Sequence, residues 1–237
     1  MGITKMNKPS LYLLPGLLCS QSVWRHQEEA LSDTFEIRIP DYRNCNSMQA
    51  MADFVLKDAP GSFFVAGHSM GGRVALQLML QCPERVSKLA LLGTSPYPAS
   101  SIEHEMRTSW VEMVKEGGMS ALHDTWPPLM LHPDRLGDEA LVSDMIKMVK
   151  NFSPDQFTAE VEALLSRPDY RPILESIQCP TLIICGEQDG LNGISIHEEM
   201  LHKIPNAKME IIENCGHMLM IERPEPVTKA MRAFFTE

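Results

Sequence analysis

The chain has 237 residues, of which 44% are hydrophobic, and a formal charge of −10. That length supports a sizeable core without staples, and scattered acidic charge disfavours nucleic acid and anionic membranes as partners. No apolar run approaches the roughly 18 residues of a membrane span. Six cysteines without a CxxC pair, beside seventeen methionines, point to free thiols in a reducing cytoplasm rather than a disulfide framework.

The first apolar run, LYLLPGLLCS at 11–20, admits two readings. It resembles the tail of a secretory or lipoprotein signal, or a buried strand running into a Pro15-Gly16 loop. A signal needs a continuous apolar stretch ending in small residues. Here Pro15-Gly16 interrupts the run and Leu18 precedes Cys19, so a retained strand and loop is expected. Further strand-like runs follow at 35–40, 62–67, 88–93, 181–186 and 208–213. Several are apolar at consecutive positions, as strands buried on both faces are. Helical patterns at 22–32, 47–57, 70–82, 195–203 and 225–236 separate them. Strand alternating with helix predicts a parallel sheet with helices on both faces. The rhythm breaks between about Pro98 and Pro172, a helical stretch holding Trp110, Trp126 and several methionines. Lying between two strands, it is expected to sit over the carboxyl edge of the sheet as a lid inserted at about 98–172.

One motif carries chemistry. FFVAGHSMGG at 63–72 places G-x-S-x-G between a buried strand and a helix, the context in which a sharp turn projects a serine hydroxyl from the sheet edge. The small residues two before and two after Ser69 let strand and helix approach closely. The helix amino terminus offers free N–H groups to a developing oxyanion. A serine nucleophile needs a base oriented by a third group. Asp189 follows the strand at 181–186, with Glu187 as its rival, and His217 sits in a glycine-bearing loop after the strand at 208–213. The order Ser69, Asp189, His217 suits this sheet type, and catalysts collect at this edge of open α/β sheets. Six other histidines, His26, His104, His123, His132, His197 and His202, fall in helical patterns or the lid. His68 is expected to pack or hydrogen-bond beside the turn.

Together PGLL (15–18) with Trp24, GHSMGG (67–72), PERVSKLALLGTSP (83–96), PTLIICGEQDG (180–190) and NCGHM (214–218) resemble the α/β-hydrolase superfamily along nearly the whole chain. The resemblance implies a single domain, 1–237, with six strands in order 2-1-3-4-5-6 and a helical lid. It implies acyl transfer with Ser69 as nucleophile, His217 as base and Asp189 as its orienter, and an oxyanion hole from the backbone N–H groups of Leu17 and Met70. Three departures stand out. Pro15-Gly16 replaces the usual His-Gly. The loop after the second strand reads Asp41-Tyr42-Arg43-Asn44-Cys45-Asn46 instead of D-x-R-G-x-G. The short stretch before the first strand leaves no place for the family's amino-terminal hairpin.

The expected reaction is hydrolysis of a small to medium, uncharged carboxylic ester, with Leu18, Met218, Trp110 and Trp126 touching the substrate and no metal or organic cofactor required. A thioesterase, lactonase, C–C hydrolase, perhydrolase or acyltransferase would use the same triad, and fold alone does not choose among them. Haloalkane dehalogenase and epoxide hydrolase relatives carry Asp where this chain has Ser69. A ligand receptor of the same fold is the alternative outside enzymes.

Overall fold

The computed structural model describes residues 8–42 and 45–237. Six strands form one parallel sheet: β1 (Ser10–Leu14), β2 (Glu36–Arg38), β3 (Phe63–His68), β4 (Val86–Leu92), β5 (Thr181–Gly186) and β6 (Ala207–Ile212), in the order β2-β1-β3-β4-β5-β6. Strands β1 and β5 are buried at every residue, which their uninterrupted apolar sequences require. The edge strands differ: β2 is three residues long and largely exposed, and β6 alternates at its start. Short or half-polar edges limit pairing with other chains.

Helices α1 (Arg25–Leu31), α2 (Met48–Leu56) and α3 (Met70–Gln81) cross over between the early strands. Between β4 and β5 come α4 (Ser101–Gly117), α5 (Trp126–Met130), α6 (Glu139–Lys150) and α7 (Pro154–Leu165). Helices α8 (Ile194–Lys203), α9 (Leu219–Glu222) and α10 (Pro224–Thr236) complete the chain. One layer pairs α1 with α10 and the other pairs α2 with α3, so both faces of the sheet are covered. Helix α9, a single turn, has no counterpart in the periodicity, which needs more than one turn to register. The loop at 41–46 is described only in part: Arg43 and Asn44 lie outside the described residues.

Helices α4, α6 and α7 of the insert each start on a side-chain cap. Ser100 accepts from the Glu103 N–H, Asp138 from Leu141, and Ser153 with Gln156 forms a full capping box. Pro127-Pro128 sit in the first turn of α5, where missing N–H groups cost nothing. No helix among the described residues is long and apolar enough to cross a membrane.

The sheet edge is tightly packed where β3 turns into α3. A Cβ on Gly71 would lie 2.1 Å from the Leu14 carbonyl oxygen, and one on Gly67 would lie 2.3 Å from the Gly71 carbonyl oxygen. Both contacts are to backbone, which cannot swing away. Gly71→Ala is therefore expected to lower unfolding free energy by about 3 kcal/mol or more. Gly61→Ala, with open space around its Cβ, should change it by less than about 0.5 kcal/mol in the same urea titration.

Candidate active site

Ser69 occupies the turn between β3 and α3 with φ +53° and ψ −113°, a conformation that costs an L-residue roughly 1–3 kcal/mol. The surroundings hold it there. Its N–H donates to the Leu92 carbonyl at 2.9 Å, and its own carbonyl accepts the Thr94 hydroxyl at 2.7 Å. The Ser69 hydroxyl lies 2.9 Å from His217 Nε2, and His217 Nδ1 lies 2.8 Å from Asp189 Oδ2. The other Asp189 oxygen accepts the N–H groups of Leu191 and Asn192 at 2.9 and 3.0 Å. Burial alone would raise the Asp189 pKa; the adjacent His217 and these donors outweigh it and hold the carboxyl below its usual value. Asp189 is thus a carboxylate, so His217 carries its proton on Nδ1 and presents Nε2 as an acceptor to the serine. Glu187 is exposed and accepts instead from Gln188 and the Asn214 N–H, so of the two acids it is Asp189 that lies in hydrogen-bond reach of His217.

His68 braces the relay from behind. Its Nε2 lies 2.9 Å from the His217 carbonyl oxygen, which can only accept, so the proton is on Nε2. Burial, reinforced by neighbouring His217, drives its pKa down to about 3, and the ring stays neutral. His197 is buried too, donating from Nδ1 to the Gly193 carbonyl and accepting the Thr94 N–H on Nε2.

The loop after β1 lies against Ser69: a Cβ on Gly16 would be 2.9 Å from His68 Nδ1 and 3.3 Å from the Ser69 Cβ. The Cys19 N–H closes a turn onto the Gly16 carbonyl at 3.2 Å, with Leu18 at φ +55°. Neither the Leu17 nor the Met70 N–H donates to a protein acceptor among the described residues; Met70, first residue of α3, has no intrahelical partner for its own.

The cavity at Ser69 is lined by Leu17, Cys19, Trp110, Trp126 and Met218 among others. Leu18 is not among them: its side chain is fully buried, and the loop offers Leu17 and Cys19 in its place. Trp110 and Trp126 meet edge to face, with centroids 5.5 Å apart. The cavity measures about 20 Å³, enough for little more than one water. A larger open cleft of about 570 Å³ runs between α6 and the start of α1, but Ser69, Asp189 and His217 do not line it.

Two buried carboxyl groups tie the insert to this site, and neither stands out in the sequence reading. Glu222 accepts the His132 N–H at 2.8 Å, the Gly216 N–H at 3.1 Å and the Met218 N–H at 3.0 Å. It thereby clamps both neighbours of His217 to the segment after α5. Glu160, on α7, accepts the Leu18 N–H at 2.9 Å. It falls on the apolar stripe Phe157, Glu160, Val161, Leu164, all buried; an acid on such a stripe is the signal that could have marked it.

A family comparison matches the sequence model of the alpha/beta hydrolase family to residues 11–230, and the chain belongs to that family. A pimeloyl-[acyl-carrier protein] methyl ester esterase of Nitrosomonas europaea is 27% identical, over 94% of this chain and 94% of its own. Among solved structures, an esterase of Thermogutta terrifontis superposes with TM-score 0.89 at 24% identity, covering 97% of this chain and 90% of its own. An enol-lactonase of Burkholderia xenovorans superposes with TM-score 0.87 at 24% identity, covering 100% and 94%.

Burial, eased by the Leu18 N–H and added to by Asp41, pushes the Glu160 pKa up to about 8 from an ordinary 4.5. A carboxyl raised in the folded state binds a proton that the unfolded chain has released, so stability falls as pH rises between those two values. Glu160→Gln keeps an oxygen for the Leu18 N–H and removes the titration. Its stability relative to the unmodified protein should climb from pH 5 to pH 8 and level off above, measured by urea titration across that range. A difference independent of pH would contradict the raised pKa.

Proposed function

We propose that the protein is a serine hydrolase that cleaves carboxylic esters through Ser69, His217 and Asp189. The observation that carries this reading is the continuous relay from Asp189 through His217 to Ser69, with hydrogen bonds of 2.8 and 2.9 Å, at a strained strand-to-helix turn. As His217 Nε2 takes the hydroxyl proton, Ser69 Oγ attacks the acyl carbon. Asp189 stabilises the imidazolium that forms. The N–H groups of Leu17 and Met70 receive the oxyanion of the tetrahedral intermediate. His217 returns the proton to the departing alcohol, leaving an acyl-Ser69. Water, deprotonated by the same imidazole, then releases the acid and restores the serine.

The relatives' names favour esters over the other acyl substrates that the same relay would serve. The reading takes 1–237 as one catalytic domain with the insert at about 98–172 as its lid. A cavity of about 20 Å³ supports a closed state, from which α4 and α5, carrying Trp110 and Trp126, withdraw to admit substrate.

The test is turnover of a panel of methyl and p-nitrophenyl esters, thioesters and lactones. The account expects kcat/KM highest on esters and lowered by about 10⁴-fold or more in Ser69→Ala and in His217→Ala. Equal turnover by Ser69→Ala would overturn it. Tight ligand binding with no turnover would instead favour a receptor.

A further inference from the structure

Beside the serine lies a group of charges that the ester chemistry leaves unused. Arg73 is one turn beyond Ser69 on α3, Arg107 is on α4, and Arg167 follows α7. Among the described residues the ion pairs of Arg107 and Arg167 are both with one carboxylate, Glu103. Glu103 Oε1 accepts Arg107 Nε at 2.7 Å and Arg167 Nη1 at 2.9 Å, while Oε2 accepts Arg167 Nη2 at 2.6 Å. Two guanidinium groups therefore share one negative charge, and Arg73 has no ion pair among the described residues.

The three are not equivalent. Arg167 is saturated, with further bonds to the carbonyls of Tyr97 and Leu164 at 2.9 and 2.7 Å, so it locks α7 to α4. Among the described residues the Arg73 side chain bonds only Asn192, at 3.5 Å, and its Nε is buried without a partner. Arg107 lines the cavity at Ser69 and lies over Trp110, 5.9 Å from the ring centroid. Its Nη1 is buried and has no hydrogen-bond partner. Burial, compounded by Arg167, lowers the Arg73 pKa to about 9, and burial also lowers that of Arg107; both charges strain against their surroundings.

A purely apolar ester would leave this excess of positive charge uncompensated in a closed site, which is costly. A guanidinium with open donors is suited to the planar, bidentate geometry of a carboxylate. We propose that Arg107, with Arg73 and Arg167 supplying the surrounding field, is a subsite for a carboxylate carried by the substrate away from the scissile bond, and that the preferred substrates are half-esters of dicarboxylic acids. This rests on the ester-hydrolase reading and replaces the uncharged substrate expected from sequence.

The experiment compares monomethyl with dimethyl esters of straight-chain dicarboxylic acids from succinate to suberate. The expected result is a half-ester kcat/KM about ten-fold or more above that of the diester at one chain length or more, with that ratio falling about 10–100-fold in Arg107→Met. Arg107→Lys, charged but without the fork, should give an intermediate ratio. Should Arg107→Met fail to fold, Arg107→Gln, which retains a donor for Glu103, reads the same ratio. A diester equal to or better than the half-ester at every length would overturn the proposal, as would a ratio that Arg107→Met leaves unaltered. If no ester is turned over, the hydrolase reading fails separately, and thermal shift with free glutarate, adipate and pimelate decides the subsite. A rise in Tm for Ser69→Ala that is absent in Arg107→Met upholds carboxylate binding; no rise in either overturns it.

Discussion

Everything at this site depends on how closely three pieces of backbone approach one another. The end of β1, the end of β3 and the first turn of α3 meet at distances that exclude a side chain at Gly67 and Gly71. That contact forces Ser69 into a positive φ and brings the β1 loop against it. The hydroxyl then projects from the sheet edge instead of lying along the strand. The Leu92 carbonyl and the Thr94 hydroxyl fasten the turn on its far side, so the strain is spread over β4 as well. The relay to His217 and Asp189 then follows from strand order, since β4, β5 and the loop after β6 all end at the same edge.

The insert is fastened to that edge by polar groups, not by apolar packing alone. Glu222 holds backbone N–H groups on both sides of His217 and one on the insert. The Met130 carbonyl accepts from His217 and Met218, and Glu160 reaches from α7 to Leu18. Leu18 is itself at positive φ, a conformation that persists where neighbours over-determine it. The same carboxyl that fastens the insert thus also steadies the residue next to Leu17, one of the two oxyanion donors in the proposed mechanism. In the proposed opening of the insert, its displacement would perturb that loop and so link access to the site with its geometry.

Much of this was legible before any coordinates. Consecutive apolar positions in LYLL and TLIICG mark strands buried on both faces, and β1 and β5 are so buried. The alternation with helices gives the parallel sheet, and the family resemblance implies its order. Local turn chemistry gives Ser69, because G-x-S-x-G needs only its own strand and helix to be interpreted. The rest depends on contacts between residues far apart in the chain. Glu160 and Leu18 are 142 residues apart, and Glu222 and His132 are 90 apart. No local pattern reports such pairs, so α7 reads as an ordinary amphipathic helix with one misplaced acid. The meeting of Arg107 and Arg167 on Glu103 has the same cause: Arg167 and Glu103 are 64 residues apart, and only the packed insert brings them together. Leu18 was misjudged for a related reason, since the turn at Gly16–Cys19 directs its neighbours, not Leu18 itself, toward the cavity.

In the proposed mechanism the turn, the relay and the two oxyanion donors activate Ser69 above the other hydroxyls among the described residues. Labelling with a fluorophosphonate, followed by peptide mass spectrometry, tests that activation most directly. The account predicts a single adduct, on Ser69, whose rate of formation collapses in His217→Ala. An adduct on another residue, or no adduct on the folded protein, would contradict it.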